Sequence, residues 1–561
     1  MNEDLLTPYE RGNQNQTSTW EECINFYTML QSKYPHVLKL FQIGSSDAGT
    51  PIHAGLVTSD GLHDFTEIKR QYRPIFFNNN GIHPGEPEGI DACMALVRDF
   101  CINPGMLKSL KRVVFLFIPV YNVDGCRKRH NTSRVNQEGP ELFGFRGNAI
   151  NMDLNRDFIK CDSLNAQVFN RFFGTWDPDL MVDTHTSNGA DYSYTMTVIQ
   201  TQADKLGGGL GSFVRDTMVP EISKRMAARS WPMCPYVNPV KEIPDDGIED
   251  FLDLPRFSTG YAALHHTIGL MPETHMLKSF QDRYESMRAF VFEMALFTAA
   301  FADQIQALRL VDRDLSKKKE WPVRWKVNPD KVSTFHFNGF TAKWRPSILG
   351  NYSRLYYDRD TPFAKEIDYF EHYEPELSVT LPLSYVIPQE WREVIQRMDW
   401  NKIKMERVSD TKLQTVQTYH IKAVKSRPGP YEGRMFHDEV ELETRTETVT
   451  LKEGDYIVPV KQLKARYAIE TLEPQAHDSF FRWGFFNSVL EKKETYSDYV
   501  FEDTASELLE SDAELRSKFE NWKLENPQLV SSQRAVLDFI FFNCKKYNEP
   551  EWRRYPVFRL V

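Results

Sequence analysis

The chain has 561 residues, of which 41% are hydrophobic and 26% charged, a composition typical of a globular rather than a disordered protein. A formal net charge of −10 argues against nucleic-acid binding, because phosphate recognition needs a clustered basic field. The longest apolar run, residues 113–120, is far shorter than the roughly 20 residues that a membrane span needs. At roughly 100–200 residues per domain, the length predicts two to four domains.

The cysteines and the N-terminus give little information about the cellular location of the protein. Seven cysteines without any CxxC pair favour neither a disulfide framework nor a thiolate zinc site. The first residues, MNEDLLTPYERGNQNQ, lack the basic and apolar regions of a signal peptide. A mature secreted chain with an added Met would begin in the same way, so the cellular location stays open. The sequence indicates no particular oligomeric state.

The first half of the chain alternates between predicted strands and helices. A helix begins at Trp20, after a cap region that includes Thr19, and two short strands follow at 38–43 and 52–57. The later predicted strands are 74–78, 113–120, 180–185 and 267–273, and the later helices are 88–100, 165–173, 211–228 and 282–301. This alternation predicts an α/β domain over 1–311, with a mostly parallel sheet that helices cover on both faces.

The second half has a different residue pattern, which predicts mainly β-strands. A charged segment at 312–322 is the predicted linker, and 323–475 is a predicted β-rich domain of an α+β region, with strands at 439–451 and 456–460. Within it we expect a helix at 389–398 and a strand at 402–408. Residues 476–561 form a predicted helical segment that packs on the rest, with helices at 512–522 and 531–543. This half contains no motif that indicates a catalytic site.

Two features of that segment have competing interpretations. The tripeptide His477-Asp478-Ser479 contains the residue types of a catalytic triad, but triad members come from separated elements, so we interpret it as a turn. The segment 480–486, with the sequence FFRWGFF, contains five aromatic residues. Packing against the first domain is the simplest interpretation, and contact with carbohydrate or peptidoglycan is the alternative.

A histidine and a glutamate stand three residues apart, at His83 and Glu86, between a predicted strand and a predicted helix. If the backbone bends at the intervening Pro-Gly, the imidazole and the carboxylate can turn toward one point, and both are good zinc ligands. A polar turn at the end of a strand has the same pattern, so this pair alone does not identify a metal site.

A third metal ligand would have to come from the end of another strand. The apolar residues 180–182 lead to Asp183 and His185, whose side chains share one face of a strand. Asp183 could therefore orient the imidazole of His185. A histidine that ends a strand without binding a metal is the alternative.

Two arginines and an amide provide candidate anion-binding groups. Arg146 stands nine residues before Asn155, and Arg156 follows directly. Guanidinium groups bind carboxylates through paired hydrogen bonds, and a preorganised arginine can stabilise an oxyanion. Solvated arginines in a surface loop are the alternative.

A glutamate, Glu273, ends the apolar strand predicted at 267–273. A buried carboxylate is costly unless it is paired or catalytic, so Glu273 is a candidate general base for a metal-bound water. A buried salt-bridge partner is an equal alternative.

Taken in order, these motifs resemble the zinc carboxypeptidase A family of metallopeptidases, over roughly residues 15–305. The matching pieces are HPGE at 83–86, NVDG at 122–125, Arg146, DLNRDF at 153–158, DTH at 183–185 and Glu273. The resemblance implies a mixed eight-stranded sheet with helices on both faces, and an extracytoplasmic location, either periplasmic or secreted. It implies one zinc ion per chain, with the ligands His83, Glu86 and His185.

The resemblance also implies roles in catalysis. Glu273 corresponds to the general base that takes a proton from the zinc-bound water and returns it to the leaving amine. Arg146 corresponds to the residue that polarises the scissile carbonyl. Asn155 and Arg156 correspond to the pair that binds the terminal carboxylate, so the implied substrate is a peptide with a free C-terminus. The implied activity is that of a zinc-dependent metallocarboxypeptidase.

The sequence departs from the family pattern in the residues that enclose the substrate. A tyrosine normally stands some twenty residues before the general base, and none does so here. Tyr261, twelve residues before Glu273, is the nearest candidate for a residue that closes over the substrate. Asp253 and Arg256 lie in the region expected for the specificity pocket, and either residue could equally be structural.

Two other functions compete with the carboxypeptidase interpretation. One is a related zinc amide hydrolase that acts on cell-wall peptides or on non-peptide amides. The other is a catalytically dead binding protein whose second half carries the function. Asn155 and Arg156 favour a substrate with a free carboxylate, and the retained ligands and base favour an active enzyme.

Overall fold

A nine-stranded mixed sheet lies at the centre of the first half of the chain. The computed structural model describes residues 3–549 and 551–561. The strands are β1 (Leu38–Ser45), β2 (Pro51–Val57), β3 (Ile75–Asn79), β4 (Val114–Ile118), β5 (Leu180–Asp183), β6 (His185–Ser187), β7 (Met196–Gln200), β8 (Met233–Pro235) and, after a separate strand β9 (Ile248–Glu249), β10 (Ile268–His275).

Eight of the nine strands follow one path, in the order β1-β2-β4-β3-β5-β10-β7-β8, and β6 pairs with β10. The pairs β3–β4, β3–β5, β5–β10, β6–β10 and β7–β8 are parallel, and the pairs β1–β2, β2–β4 and β7–β10 are antiparallel. The predicted mixed, mostly parallel sheet is therefore confirmed. Because β3, β5 and β10 run in the same direction, their carboxyl ends lie at one edge of the sheet.

Helices cover both faces of this sheet. They are α1 (Pro8–Arg11), α2 (Trp20–Lys33), α3 (Phe65–Arg70), α4 (Glu88–Ile102), α5 (Pro104–Ser109), α6 (Val123–Arg127), α7 (Leu164–Trp176), α8 (Ala203–Leu206), α9 (Gly208–Phe213), α10 (Val219–Ala228), α11 (Ser258–Leu264) and α12 (Phe280–Asp312). Thr19 and Glu22 form a reciprocal capping box at the start of α2, as the cap region predicts. A π-helical stretch, Val214–Met218, connects α9 and α10.

Strand β4 shows why two helical layers are needed. Its residues alternate between the two hydrophobic clusters of the sheet: Phe115 and Phe117 pack with α2, α4 and α12, whereas Leu116 and Ile118 pack with α7 and α11. A strand that is apolar on both faces is stable only when both faces are covered.

Helix α12 extends beyond its predicted end at residue 301. Its last turns are held by Arg309, whose Nη1 donates to Asp179 Oδ1 at 2.8 Å and whose Nη2 donates to Asp177 Oδ1 at 2.9 Å. This extension depends on contacts with the distant segment 177–179, so the apolar periodicity of the helix does not predict it.

The described residues of the second half form ten further strands. They are β11 (Glu320–Val327), β12 (Ser333–Pro346), β13 (Ser353–Phe370), β14 (Tyr373–Thr380), β15 (Ser384–Ile387), β16 (Glu406–Arg407), β17 (Lys412–Ser426), β18 (His437–Leu451), β19 (Tyr456–Pro459) and β20 (Phe558–Leu560). The predicted strand 402–408 is wrong over most of its length, because Lys402 adopts a left-handed conformation (φ 60°) and Ile403 N donates back to Met398 O.

These strands form three separate sheets. Strand β11 pairs with β14, β12 pairs with β13, which also pairs with β9, and six strands follow the order β16-β19-β15-β20-β17-β18. The helices of this half are α13 (Arg392–Trp400), α14 (Ala465–Leu472), α15 (Asp498–Ser511), α16 (Ala513–Glu525) and α17 (Gln533–Asn543). No helix in the described part of the chain is long and apolar enough to cross a membrane.

The second half completes the core of the first half. Trp321, Tyr467 and Trp483 belong to the same hydrophobic cluster as Phe77 and Tyr261, on one face of the nine-stranded sheet. Strand β20, near the C-terminus, lies between β15 and β17 of the six-stranded sheet. The domain boundaries at 311, 323 and 475 stay a prediction, but the core on this face is continuous across all of them.

One buried ion pair joins the two halves beside this core. Arg256 Nη2 lies 2.8 Å from Asp478 Oδ1, and the backbone N–H of Arg256 donates to Asp478 Oδ2 at 2.8 Å. The guanidinium carbon also lies 5.2 Å from the ring centroid of Trp483. The turn interpretation of 477–479 accounts for these contacts. The aromatic run 480–486 is largely buried in the shared core, so it is not a surface for carbohydrate.

We expect Asp478→Ala to lower the free energy of unfolding by about 3–5 kcal/mol, because it leaves the guanidinium of Arg256 buried without its partner. Urea titration followed by circular dichroism measures this change. Glu439→Ala is the matched control, since it removes an exposed carboxylate partner, that of Lys425, and should alter the unfolding midpoint far less. Equal effects of the two substitutions would contradict a specific anchoring role for Asp478.

Candidate metal centre and adjoining cavity

A single cavity at the carboxyl edge of the sheet brings together seven of the eight predicted site residues. The seven residues that line it are His83, Glu86, Arg146, Asn155, Arg156, His185 and Glu273. His83 and Glu86 lie in the loop that joins β3 to α4, His185 begins β6, and Glu273 belongs to β10. They are distant in sequence and meet because neighbouring parallel strands end at this edge.

The two histidines and Glu86 form a compact group. Their ligand atoms all lie within 4.8 Å of one another, and all three residues are buried. Nδ1 of His83 lies 3.3 Å from Glu86 Oε1, and Nδ1 of His185 lies 3.1 Å from Glu86 Oε2. The three side chains therefore direct two nitrogens and a carboxylate toward one point, which makes them a possible metal site.

Two carboxylates orient these imidazoles. Nε2 of His83 lies 2.8 Å from Asp153 Oδ1, and Nε2 of His185 lies 2.9 Å from Asp183 Oδ2. A proton on each Nε2 satisfies these contacts and leaves both Nδ1 atoms as lone-pair donors. The geometry matches the orienting role expected for Asp183, whereas the parallel role of Asp153 did not follow from the spacing of its motif.

A buried atom without a partner supports the fit of a cation. Nδ1 of His83 is buried and makes no hydrogen bond within the described residues. Such an atom is costly unless a ligand occupies its lone pair. Two imidazole nitrogens and a carboxylate suit zinc and leave a fourth tetrahedral position open to water or substrate.

The charges in the group are arranged as they would be around a cation. Burial opposes ionisation of Glu86, but Arg134 and His83 hold the pKa of this carboxyl well below its usual range. Burial also opposes protonation of His185, yet Asp183, Glu86 and Glu273 raise the pKa of its imidazole well above the usual value. The site thus favours positive charge beside Glu86.

Arg134 is a site residue that the sequence patterns did not indicate. Its Nη1 donates to Glu86 Oε1 at 2.6 Å, and its Nη2 donates to the carbonyl of Thr186 at 2.8 Å. It stands in the loop after α6, outside the matching motifs. Only its contact with Glu86 in the folded chain indicates its importance.

Glu273 lies beside His185, because the two residues are register partners in the parallel pair β6–β10. Burial raises the pKa of its carboxyl to about 8; His185 counteracts this shift and Glu86 adds to it. Its carboxylate makes no hydrogen bond to the described residues, so it remains available to a molecule in the cavity. A bound cation would favour the ionised form at neutral pH.

Arg146, Asn155 and Arg156 line the same cavity. Nη2 of Arg146 lies 2.8 Å from Asp153 Oδ2, and its Nη1 lies 3.5 Å from Glu86 Oε1. Asn155 accepts a hydrogen bond from Ser258 N through Oδ1, while its Nδ2 has no partner among the described residues. The guanidinium of Arg156 stacks 4.5 Å from the ring centroid of Phe257. Together these groups give the cavity three anion-binding side chains.

The prediction that Tyr261 closes over a substrate is wrong. Tyr261 is fully buried in the core on the α7 side of the sheet, and its hydroxyl donates to Asn401 Oδ1 at 2.7 Å. Its ring lies 5.4 Å from that of Phe158 and 5.2 Å from that of Phe173. The residue fills space between α11 and α7, so its place in the sequence reflects packing rather than contact with a ligand.

A different tyrosine, Tyr236, lines the cavity. Its ring makes an edge contact with Phe251 at 5.9 Å, and Phe251 makes one with Phe257 at 5.2 Å. Burial, with added repulsion from Glu273 and Glu86, raises the pKa of its hydroxyl, which is therefore protonated. Tyr236 follows β8 and stands 37 residues before Glu273. A search for a tyrosine about twenty residues before Glu273 therefore does not find it.

One part of the cavity wall is apolar. Ile199 of β7 and Met271 of β10 lie beside the aromatic residues. Asp253 is fully buried and paired with Lys205 at 2.7 Å, and Arg256 is paired with Asp478. Neither Asp253 nor Arg256 lines the cavity. Asp253 and Arg256 are therefore structural residues and do not form the specificity pocket.

Comparison with known proteins finds similarity to carboxypeptidases. Residues 23–195 match a family model described as zinc carboxypeptidase, a range that includes every residue of the His–Glu–His group and excludes Glu273. Carboxypeptidase 2 of Trichophyton tonsurans is 22% identical over 72% of this chain and 72% of its own length. Mast cell carboxypeptidase A of Homo sapiens is 26% identical over 25% of this chain and 32% of its own length.

Among solved structures, a metallo-carboxypeptidase from Burkholderia cenocepacia covers 51% of this chain and 70% of its own, at 15% identity and a TM-score of 0.38.

We expect the purified protein to contain about one zinc ion per chain, because the group supplies three protein ligands for one tetrahedral ion. A chelator should lower the thermal midpoint, since an ion that binds only the folded state stabilises it. Elemental analysis and a melting curve measure both effects. His185→Ala should lose the ion, whereas His336→Ala, an exposed histidine on β12, should keep it. Equal zinc content in the two variants would contradict the assignment.

Proposed function

The chain belongs, through residues 23–195, to the zinc carboxypeptidase family, and on this basis we propose that it hydrolyses the C-terminal peptide bond of peptides. The observation that carries the proposal is the shared cavity: the His–Glu–His group, Glu273 and the pair Asn155–Arg156 all line it. A carboxylate-binding pair next to a metal group selects a substrate with a free C-terminus.

Binding of the terminal carboxylate is the first part of the proposed mechanism. Arg156 offers a guanidinium that is already stacked on Phe257, so it loses little freedom when the substrate binds. Asn155 offers its Nδ2 hydrogens, because its Oδ1 is already held by Ser258 N. Both groups donate to the carboxylate, and this fixes the scissile bond at a constant distance from the end of the peptide.

Peptide-bond cleavage is the second part. Zinc, when bound by His83, Glu86 and His185, supplies a Lewis acid that lowers the pKa of water and polarises a carbonyl. Glu273 accepts the proton of the attacking water as the new C–O bond forms. It then delivers that proton to the leaving nitrogen as the C–N bond breaks, so its carboxylate is regenerated.

Arg146 has a separate role in this proposal. Its Nε and Nη2 are held by Asp153 Oδ2, at 3.0 and 2.8 Å, and this leaves Nη1 directed toward the metal group. A guanidinium fixed in this way can donate to the carbonyl oxygen of the scissile bond as that oxygen becomes negative. Because the residue is oriented before substrate binds, the stabilisation needs little rearrangement.

The side chain of the released residue would contact the apolar wall. Ile199, Met271, Phe251 and Phe257 line it, and the nearby Asp253 is neutralised by Lys205. A cationic side chain would find no unpaired carboxylate on this wall, whereas an aromatic or aliphatic side chain would bury apolar surface. We therefore propose apolar C-terminal residues as preferred substrates, with Tyr236 as the tyrosine that contacts them.

We expect Glu273→Gln to retain zinc and to reduce kcat by about 10²–10⁴-fold, because the amide cannot accept the proton of the water. Steady-state hydrolysis of a peptide that ends in phenylalanine measures kcat, and elemental analysis measures the zinc. Glu366→Gln, at an exposed glutamate, is the matched control. A Glu273→Gln variant with full activity would remove this residue from the role of base.

We expect Arg156→Ala to reduce kcat/KM by about 10–10²-fold on a peptide with a free C-terminus, since a charged hydrogen bond to the carboxylate is lost. The corresponding C-terminal amide should be a poor substrate for both proteins, with little difference between them. Arg534→Ala, at an exposed arginine of α17, is the control.

Mass spectrometry of the products identifies the bond that is cut. Internal cleavage, or equal rates on the acid and the amide, would contradict carboxylate capture and favour the amide hydrolase alternative. The absence of any product from zinc-loaded protein would favour the binding-protein alternative.

A further inference from the structure

Strands β12 and β13 form a long ribbon that β9 joins only at the end of β13, and its two-stranded tip is residues 341–357. The register runs from Thr341 opposite Asp358 to Pro346 opposite Ser353, and the connecting residues turn back through a hydrogen bond from Ser347 N to Tyr352 O. The backbone hydrogen bonds of the tip are made within the ribbon. Of residues 344–354, all but Ser347 are exposed, so this end of the ribbon lies at the surface of the molecule.

The end of this ribbon tip is strongly apolar and exposed. Ile348 is 96% exposed and Leu349 is 85% exposed. Trp344, on β12, and Tyr352, just before β13, are also exposed. Adjacent large apolar side chains at such exposure are unusual in a soluble protein and mark a surface that contacts another apolar phase.

Two arginines lie directly opposite each other behind the apolar end. Arg345 and Arg354 are cross-strand partners, and neither forms an ion pair with any residue in the described part of the chain. Like charges directly opposite in a sheet are destabilising. The only other charged residue of the tip is Lys343, which pairs with Asp358 at 2.6 Å. The tip thus carries positive charge on a chain whose net charge is −10.

We propose that the ribbon tip binds peripherally to an anionic lipid surface. Ile348 and Leu349 enter the boundary between headgroups and acyl chains, and Trp344 and Tyr352 lie at the headgroup level, where these residue types are favoured. Arg345 and Arg354 contact lipid phosphates or carboxylates, which supply the negative charge that this pair lacks within the protein.

A lipid surface suits this tip better than a protein partner does. A stable protein interface buries about 800 Å² on each partner, usually on a broad complementary surface. The tip is only two strands wide, so it presents a narrow surface. A fluid lipid surface closes around a narrow projection and needs no matching shape, so a few apolar side chains and two cations are enough for reversible binding.

The base of the ribbon contacts the chain segment that continues from Asn188, a residue that lines the cavity. Gly339 bridges to Tyr192, and Arg359 Nε donates to Asp191 Oδ2 at 2.6 Å. Both partners lie in the segment that follows β6, which begins with His185. Binding of the tip to lipid would therefore hold the cavity close to the membrane surface, where membrane-associated peptides would meet it.

The test is flotation of the full chain with vesicles of phosphatidylcholine, with and without phosphatidylserine. We expect the wild-type protein to float with the phosphatidylserine vesicles. The double variant Ile348→Asp/Leu349→Asp should reduce the bound fraction by about tenfold or more, because two exposed apolar side chains no longer enter the lipid. Leu524→Asp, at an exposed leucine of α16, should bind like the wild type.

Arg345→Gln/Arg354→Gln should abolish the preference for phosphatidylserine over phosphatidylcholine. Circular dichroism and hydrolysis of a soluble peptide verify that each variant is folded. Failure of the wild type to float, or equal flotation of the Asp double variant, would overturn the proposal. So would a wild-type dimer on size exclusion that the Asp variant converts to monomer without any vesicle binding, since the tip would then be an interface between copies.

Discussion

The contacts of Asp153 with His83 and of Asp183 with His185 are the interactions on which the site depends. Each carboxylate holds an Nε2 and thereby aims an Nδ1 at Glu86. Without them the imidazoles could rotate, and the ligand atoms would not lie within 4.8 Å of one another. Because burial alone would oppose charge on these groups, the carboxylates also keep the site suited to a cation.

The second half of the chain supports this arrangement from outside. Glu432 Oε2 accepts a hydrogen bond from Asp153 N at 3.1 Å, so the carboxylate that orients His83 is itself positioned by a distant loop. Asp478 holds Arg256 next to Phe257 and Ser258, which contact Arg156 and Asn155. The additional length therefore has a physical role: it covers one face of the sheet and fixes two loops that border the cavity.

Much of the site could be predicted because its residues lie in short segments attached to strongly apolar strands. The strand 113–120 is apolar on both faces, and this alone requires a sheet covered by two helical layers. A polar residue at the end of such a strand lies at the carboxyl edge of the sheet, and so His185 and Glu273 could be expected to approach each other. The prediction for Tyr261 rested instead on its separation from Glu273, and it is wrong because its ring and hydroxyl are both satisfied inside the core.

The sequence by itself predicted the mixed sheet, its helical layers and seven of the side chains that meet in the cavity, because periodicity and local motifs specify these features within a few residues. The tertiary structure alone decided which groups surround them. Arg134 on Glu86, Glu432 on Asp153 and Tyr236 in the cavity wall are contacts between segments far apart in the chain. Such contacts depend on how loops pack over the sheet edge, and no local spacing encodes that packing.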